Sequence, residues 1–112
     1  MFLQVSVSMN NVAKVLRHQC RYAEAAAIYR EVLVIQKRVA GTDSIPVADT
    51  LRVLGDMLFE WGKYEEALAE LDLSHAIFLL LTKGRHEKFN LVIEMQNKCH
   101  AAIAKRNASS KK

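Results

Sequence analysis

Residues that interrupt helices are scarce in this chain of 112 residues: proline occurs once, at Pro46, and glycine only four times. Proline lacks the backbone N–H that a helix needs, and glycine costs about 1 kcal/mol relative to alanine in a helix interior. Long helices therefore meet few obstacles. Because apolar residues make up 51% of the chain, a continuous core is also available. We predict an all-α domain.

Cysteine is equally scarce. Cys20 and Cys99 have no second pair, and the four histidines lack the i, i+4 spacing of a metal site on a helix. These absences argue against a disulfide framework and against a bound metal. We therefore predict no cofactor and a reduced, cytoplasmic setting.

No apolar run approaches the roughly 20 residues that a membrane helix requires, and the first residues lack the basic and apolar segments of a signal peptide. We expect neither secretion nor a membrane partner. The net charge of +4 is suggestive of nucleic acid, but Lys105, Arg106, Lys111 and Lys112 all fall in the last eight residues. We therefore predict a disordered basic tail over residues 107–112 and no nucleic-acid partner.

A repeat becomes visible when "RYAEAAA" (21–27) is placed over "KYEEALA" (63–69), an offset of 42 residues. At this offset several identical residues coincide: Leu16 with Leu58, Tyr22 with Tyr64, Glu24 with Glu66, Ala25 with Ala67, Ala27 with Ala69, and Ile35 with Ile77. Within each unit apolar residues recur every three or four positions on either side of a short turn. Each unit is therefore predicted to be an antiparallel helix pair.

Small residues occur where the two helices of a unit would cross closely: Ala13 and Ala25 in the first, Gly55 and Ala67 in the second. The turn glycine Gly62 predicts a left-handed backbone, which Cys20 must also adopt if the units match. We place the units at about residues 5–42 and 47–84. A final helix at about residues 87–106 is predicted to cap the second unit with an apolar stripe of Phe89, Val92, Ile93, Cys99 and Ile103.

The strings "MNNVAKVLRHQCRYAEAAAIYREVLVIQKRVAGTDSIPVA" and "LRVLGDMLFEWGKYEEALAEL" resemble the tetratricopeptide repeat, and the 42-residue period resembles the kinesin light chain variety. The resemblance implies an α-solenoid of two helix pairs with a capping helix. It also implies a non-enzymatic interaction scaffold, in which the first helix of each pair lines a concave groove that binds extended peptides.

Candidate peptide-binding residues lie on the first helix of each unit, opposite its packing stripe: Asn10, Asn11, Lys14, Arg17 and Arg52. The resemblance matches the two asparagines to the paired asparagines of the kinesin light chain motif, whose amides can hold a peptide backbone. The two basic residues that follow them favour an acidic partner. An equally weighted alternative is that Lys14 forms a surface ion pair with Asp56 across the repeat interface.

A second candidate surface appears where the polar residues Gln36, Lys37 and Arg38 of the first unit are replaced by Phe78, Leu79 and Leu80 in the second. Burial under the final helix is one explanation. The alternative is an exposed interface for another protein or for a second copy of the chain, which makes the domain an assembly or homo-oligomerisation module.

Catalysis is the weakest hypothesis. Glu65 and Glu66 are adjacent, so on a helix they point about 100 degrees apart and cannot flank one reacting bond. Cys20 has no base that can be placed beside it. We therefore predict no enzymatic activity and a protein or peptide as partner.

Overall fold

The protein is all-α. The computed structural model describes the backbone of residues 2–110 and the side chains of residues 7–109. The helices follow one another as α1 (Phe2–His18), α2 (Tyr22–Ala40), α3 (Ile45–Glu60), α4 (Tyr64–Thr82) and α5 (Phe89–Ser110). In the described part of the chain, each helix is too short or too polar to cross a bilayer.

The turns of the two hairpins, α1 to α2 and α3 to α4, have matching geometry. The Arg21 N–H donates to the carbonyl of Leu16 at 2.8 Å, and 42 residues later the Lys63 N–H donates to the carbonyl of Leu58 at 2.9 Å. The backbone angles agree as closely: φ −90° and ψ 66° at Arg21, φ −88° and ψ 67° at Lys63. The offset found in the sequence therefore describes equivalent places in space.

The small residues lie at the helix crossings, as predicted. Ala13 on α1 and Ala25 on α2 are fully buried in the first hairpin, and Ala67 on α4 is fully buried against Gly55 of α3 in the second. Because alanine and glycine have the smallest side chains, the helix axes can approach each other at these points. Larger side chains, among them Leu54 and Leu58, fill the surrounding core.

Two buried hydrogen bonds align neighbouring helices, one between the hairpins and one within the second hairpin. The Thr50 hydroxyl on α3 donates to Oε1 of Gln36 on α2 at 2.7 Å, and the Ser74 hydroxyl on α4 donates to the carbonyl of Ala48 at 2.7 Å. Satisfied polar groups of this kind are directional, whereas apolar packing is not. They therefore help to fix how α2, α3 and α4 are aligned.

The boundary between the hairpins contains the residues expected there. Gly41 follows α2 with φ 95°, Ser44 precedes α3, and Pro46 is the second residue of α3. Proline fits the first helical turn because its missing N–H would have no helical partner there. The Ser44 hydroxyl donates to the carbonyl of Gly41 at 2.9 Å, which ties the two ends of the linker together.

The final helix packs on α4 and, less extensively, on α3. Of the predicted stripe, Phe89, Val92 and Cys99 are buried, and Ile93 and Ile103 are half-buried. Arg106 also reaches back to Glu65 on α4, with bonds of 2.8 and 2.6 Å.

The end of the chain differs from the prediction. Residues 107–110, which the sequence assigns to a disordered tail, form the last turn of α5. The physical reason is that neither glycine nor proline interrupts the helix before Ser110. Lys111 and Lys112, the rest of the predicted tail, lie outside the described residues.

Candidate functional site

A cavity of about 320 Å³ lies between the first helices of the two hairpins, and we call it the α1–α3 cavity. Its walls come from α1 and α3, with one residue from α2 and one from the segment that precedes α5. It is lined by Asn10, Lys14, Arg17, Tyr29, Asp49, Thr50, Arg52, Val53, Asp56 and Lys88. Four of the five predicted peptide-binding residues therefore share one cavity.

Helical spacing explains this grouping. On α1, Asn10, Lys14 and Arg17 are four and three residues apart, so their side chains project from one face. Asn11 is one position further and points about 100 degrees away. It is exposed and does not line the cavity, so the pairing of two adjacent asparagines at one site is not what the geometry gives.

Arg17 is bound by a carboxylate of the neighbouring hairpin. Both oxygens of Glu60, the last residue of α3, accept hydrogen bonds from the Arg17 guanidinium, whose Nε lies 3.0 Å from Oε2. These bonds hold the pKa of Glu60 below its ordinary value, with burial acting in the opposite direction. Arg17 thus closes one end of the cavity, and part of its positive charge is neutralised.

Arg52 is also paired. It donates to Asp49 at 3.0 Å and to Asp56 at 3.3 Å, three and four residues away on α3. Asp49 accepts a further bond from Nζ of Lys88 at 3.0 Å. The wall formed by α3 is therefore a network of alternating charges in which no cation stands alone.

Lys14 is different. It is exposed and lines the cavity, and across the side chains of residues 7–109 no hydrogen bond or ion pair involves it. The predicted pair between Lys14 and Asp56 is not formed, because Asp56 binds Arg52 on its own helix instead. Lys14 is therefore the cation that an arriving anion would meet first.

Two residues that line the cavity have buried polar atoms without a hydrogen-bond partner. Among the described side chains, two buried oxygens lack a hydrogen bond, the hydroxyl of Tyr29 and Oδ1 of Asp56, and both residues line this cavity. Burial raises the pKa of Tyr29, and the rise is opposed by the charge of the Arg17 guanidinium and by its polar contact with the hydroxyl oxygen, which leaves the hydroxyl proton without an acceptor. Burial also raises the pKa of Asp56, opposed by Arg52 and Arg17. The cavity thus offers hydrogen-bonding capacity that the protein itself leaves unused.

Sequence reasoning did not find these groups as site residues. Tyr29 fits the apolar stripe of α2, and a buried hydroxyl at such a position is not visible from spacing. Lys88 lies in an irregular segment, where no periodicity indicates direction. The position of Asp56 on the cavity side of α3 follows from helical spacing. That one of its oxygens lacks a partner does not, because this depends on how Arg52 divides its hydrogen bonds between Asp49 and Asp56.

The second predicted surface is only partly exposed. Phe78 is fully buried and its ring is tilted against that of His86, with ring centroids 4.8 Å apart, so it is not available as an interface residue. Its equivalent Gln36 is buried too, which shows that this position faces the core in both hairpins. Leu79 and Leu80, in contrast, are 50% and 66% exposed.

The residues considered for catalysis have structural roles or stand alone. Glu65 is held by Arg106 of α5, whose hydrogen bonds lower the pKa of the carboxylate, while Glu66 is exposed. Cys20 is exposed in the first turn and accepts a bond from the Tyr22 hydroxyl at 3.7 Å. Neither arrangement contains a nucleophile with an adjacent base.

Stacked antiparallel hairpins with a groove between their first helices define a helical-repeat protein. The sequence profile of the tetratricopeptide repeat matches residues 4–79, and the chain belongs to that family. Tetratricopeptide repeats are protein–protein interaction modules and typically act as non-enzymatic scaffolds. A comparison with curated proteins found no match.

Proposed function

We propose that this protein is a non-enzymatic scaffold whose α1–α3 cavity binds an extended, acidic peptide of a partner protein. The observation that supports this most directly is the convergence of Asn10, Lys14, Arg17 and Arg52 on one cavity between the first helices. The matching turns 42 residues apart support the finer proposal that the repeats are of the kinesin light chain variety.

Charge favours an acidic peptide. Four basic side chains line the cavity against two carboxylates, and Lys14 is the one whose charge no carboxylate of the described residues neutralises. Arg17 and Arg52 are held in place by their ion pairs, so they contribute direction and residual positive potential. The Asn10 carboxamide can both donate to and accept from a peptide backbone.

A protein fits this site better than a nucleic acid or a membrane surface does. Outside the cavity, two arginines on the surface are paired with carboxylates: Arg21 binds Glu24, and Arg30 binds Glu70. Such pairing lowers the positive potential that a nucleic acid or an anionic membrane would meet at these two sites. We propose a cytoplasmic setting, which the two free cysteines support.

Peptide selection tests the proposal. A random library of peptides of about 12 residues, which span about 40 Å when extended, is panned against the immobilised protein, and enriched peptides are measured by fluorescence anisotropy. We expect enrichment of Asp and Glu. Lys14→Glu should weaken binding about tenfold or more, because it turns the unpaired cation into an anion.

The matched control is Lys37→Glu on α2, which changes the same charge at an exposed site outside the cavity. It should leave peptide affinity unchanged. Equal affinity of the Lys14→Glu variant and the wild type would contradict the proposed groove, and so would a library that yields no binding peptide.

A second candidate function is assembly through α4. Leu79, Leu80 and Leu81 are each between 46% and 66% exposed, an uncommon run of apolar residues on a helix surface. If this surface joins two copies, light scattering should give a dimer for the wild type and a monomer for Leu79→Glu combined with Leu80→Glu. Val34→Glu, at a similarly exposed site on α2, serves as the control and should not alter the mass. A monomeric wild type would exclude self-assembly.

A further inference from the structure

The two orphaned oxygens of the α1–α3 cavity indicate what the cavity takes from its partner. The hydroxyl of Tyr29 belongs to a side chain that is 1% exposed, and Oδ1 of Asp56 is buried while its other carboxylate oxygen binds Arg52. Buried polar atoms without partners are rare and unfavourable. Both residues line the α1–α3 cavity, and so does the unpaired Lys14.

The group that satisfies Asp56 must donate a hydrogen bond, since a carboxylate oxygen only accepts. A cationic donor is disfavoured, because Lys14, Arg17, Arg52 and Lys88 already surround the cavity and would repel it. An anionic group is disfavoured at this point as well, because it would oppose the Asp56 carboxylate without offering a proton. A neutral donor is left.

The same group should also accept a hydrogen bond. The Tyr29 hydroxyl can donate, and so can the Lys14 ammonium. A carboxamide provides both functions in one planar unit, with an NH₂ for the carboxylate and a carbonyl oxygen for the donors. A cavity of about 320 Å³ has room for a side chain of this size.

We propose that the partner peptide inserts an Asn or Gln side chain into the α1–α3 cavity, donating from its NH₂ to Asp56 and accepting from Tyr29 or Lys14. This inference rests on the proposed function. It specifies one neutral side chain in a peptide that is otherwise acidic. Flanking acidic residues contact Lys14, while one carboxamide binds inside the cavity.

The experiment uses the full chain and the tightest acidic peptide from the selection. Each non-acidic position is replaced by Ala, and the Asn or Gln position is also replaced by its isosteric acid, Asp or Glu. With the wild-type protein, we expect one carboxamide position at which both changes weaken binding about five- to tenfold. Changes at other non-acidic positions should have smaller effects.

Two protein variants locate that contact. Tyr29→Phe removes only the hydroxyl and should weaken the carboxamide peptide about two- to tenfold while affecting the alanine-substituted peptide little. Asp56→Asn removes the charge that repels an acid, so the preference for the carboxamide over its isosteric acid should shrink or reverse. Asp43→Asn, an exposed position in the linker between the hairpins, is the matched control and should leave the preference intact.

The outcomes separate this inference from the proposed function. If acidic peptides bind and depend on Lys14 but no carboxamide position is sensitive, or if the preference is the same in Asp56→Asn, the inference is overturned and the groove is retained. If no peptide binds, both fail. Circular dichroism of Tyr29→Phe and Asp56→Asn checks that each remains folded, and Tyr29→Phe decides the matter if Asp56→Asn does not fold.

Discussion

Gly55 on α3 and Leu71 on α4 are so close that a Cβ atom built on Gly55 would lie 2.6 Å from Cγ of Leu71. Glycine normally weakens a helix interior by about 1 kcal/mol relative to alanine. At this crossing the lower helix propensity of glycine is outweighed by the close packing of α3 on α4 that the missing side chain allows. We predict that Gly55→Ala destabilises the protein by about 1–3 kcal/mol, the usual cost of overpacking, as measured by urea unfolding.

A double-mutant cycle tests the cause of that loss. Leu71→Ala removes the two closest atoms that a new Cβ would meet and leaves the backbone oxygen of Ala67 at 3.3 Å. Because this substitution costs about 2–5 kcal/mol, both backgrounds are measured in the same concentration of a stabilising osmolyte. In the Leu71→Ala background, the loss caused by Gly55→Ala should shrink to near zero, because the gain in helix propensity offsets the remaining contact with the Ala67 oxygen. An undiminished loss there would show that Leu71 is not the obstacle.

The turn of the first hairpin contains a residue poorly suited to its backbone. Cys20 has φ 60° and its equivalent Gly62 has φ 86°, a region in which a Cβ atom is strained. We predict that Cys20→Gly stabilises the protein by about 0.5–1 kcal/mol in urea unfolding. Gly62→Ala should destabilise the protein by about 1 kcal/mol. Since no atom lies within 4 Å of the added Cβ, this loss comes from backbone strain at positive φ and not from a steric clash. A destabilised Cys20→Gly variant would show that the bond from Tyr22 to the thiol outweighs the strain.

The ion pair of Arg17 with Glu60 should make stability depend on pH. Because the pKa of Glu60 is lowered in the folded protein, its contribution is present above the unfolded pKa of about 4.5 and is lost as pH falls through the folded value. The Glu60 side chain is 44% exposed, so screening limits the effect to about 1 kcal/mol at most. Glu60→Gln should therefore be less stable than the wild type at pH 7, and the difference should narrow at pH 3.5.

The same variant has a functional consequence. Glu60→Gln leaves the positive charge of Arg17 uncompensated at the end of the cavity. If the cavity binds acidic peptides, affinity should rise by about two- to tenfold, and more at low salt than at high salt. Glu24→Gln, which removes a carboxylate paired with Arg21 outside the cavity, is the control. A loss of affinity would mean that Glu60 contributes more by holding Arg17 in position than it costs by neutralising the charge of Arg17.

The helices and the repeat could be predicted because they depend on local patterns. The spacing of apolar residues predicted the two helix pairs. Ala25 and Ala67 are equivalent because each is fully buried where two helices cross, and only a small side chain fits there. The burial of Phe78 was only one of two alternatives from the sequence, since a one-dimensional pattern does not report neighbours. Phe78 is buried by the segment that leads into α5, and Gln36 at the equivalent position is buried because Thr50 satisfies its amide.

The site was predicted only in outline. Helical spacing suffices to bring Asn10, Lys14 and Arg17 together, but the charge that each carries into the cavity depends on its partner. Arg17 meets Glu60, 43 residues away, and no local rule selects that carboxylate over Asp56. Orphaned atoms such as the Tyr29 hydroxyl emerge only after every other bond is assigned.

The two thiols provide a test of how firmly the final helix is docked. Cys20 is exposed, whereas Cys99 lies on the buried face of α5, and burial raises the pKa of the Cys99 thiol. Since the thiolate is the reactive form, Ellman's reagent should label one thiol of the native protein rapidly and the second only when α5 opens. Cys20→Ser should abolish the rapid phase alone.

The rate of the slow phase then shows whether α5 opens only when the whole domain unfolds or undocks separately. If α5 is an integral part of one cooperative domain, the free energy of opening at Cys99 equals that of global unfolding by urea. A short array that depends on α5 to cover α4 should behave in this way, and we expect the two values to agree within about 1 kcal/mol. Labelling of Cys99 at a much lower free energy would show that α5 undocks separately, and it would identify the covered face of α4 as a surface that the helix can release.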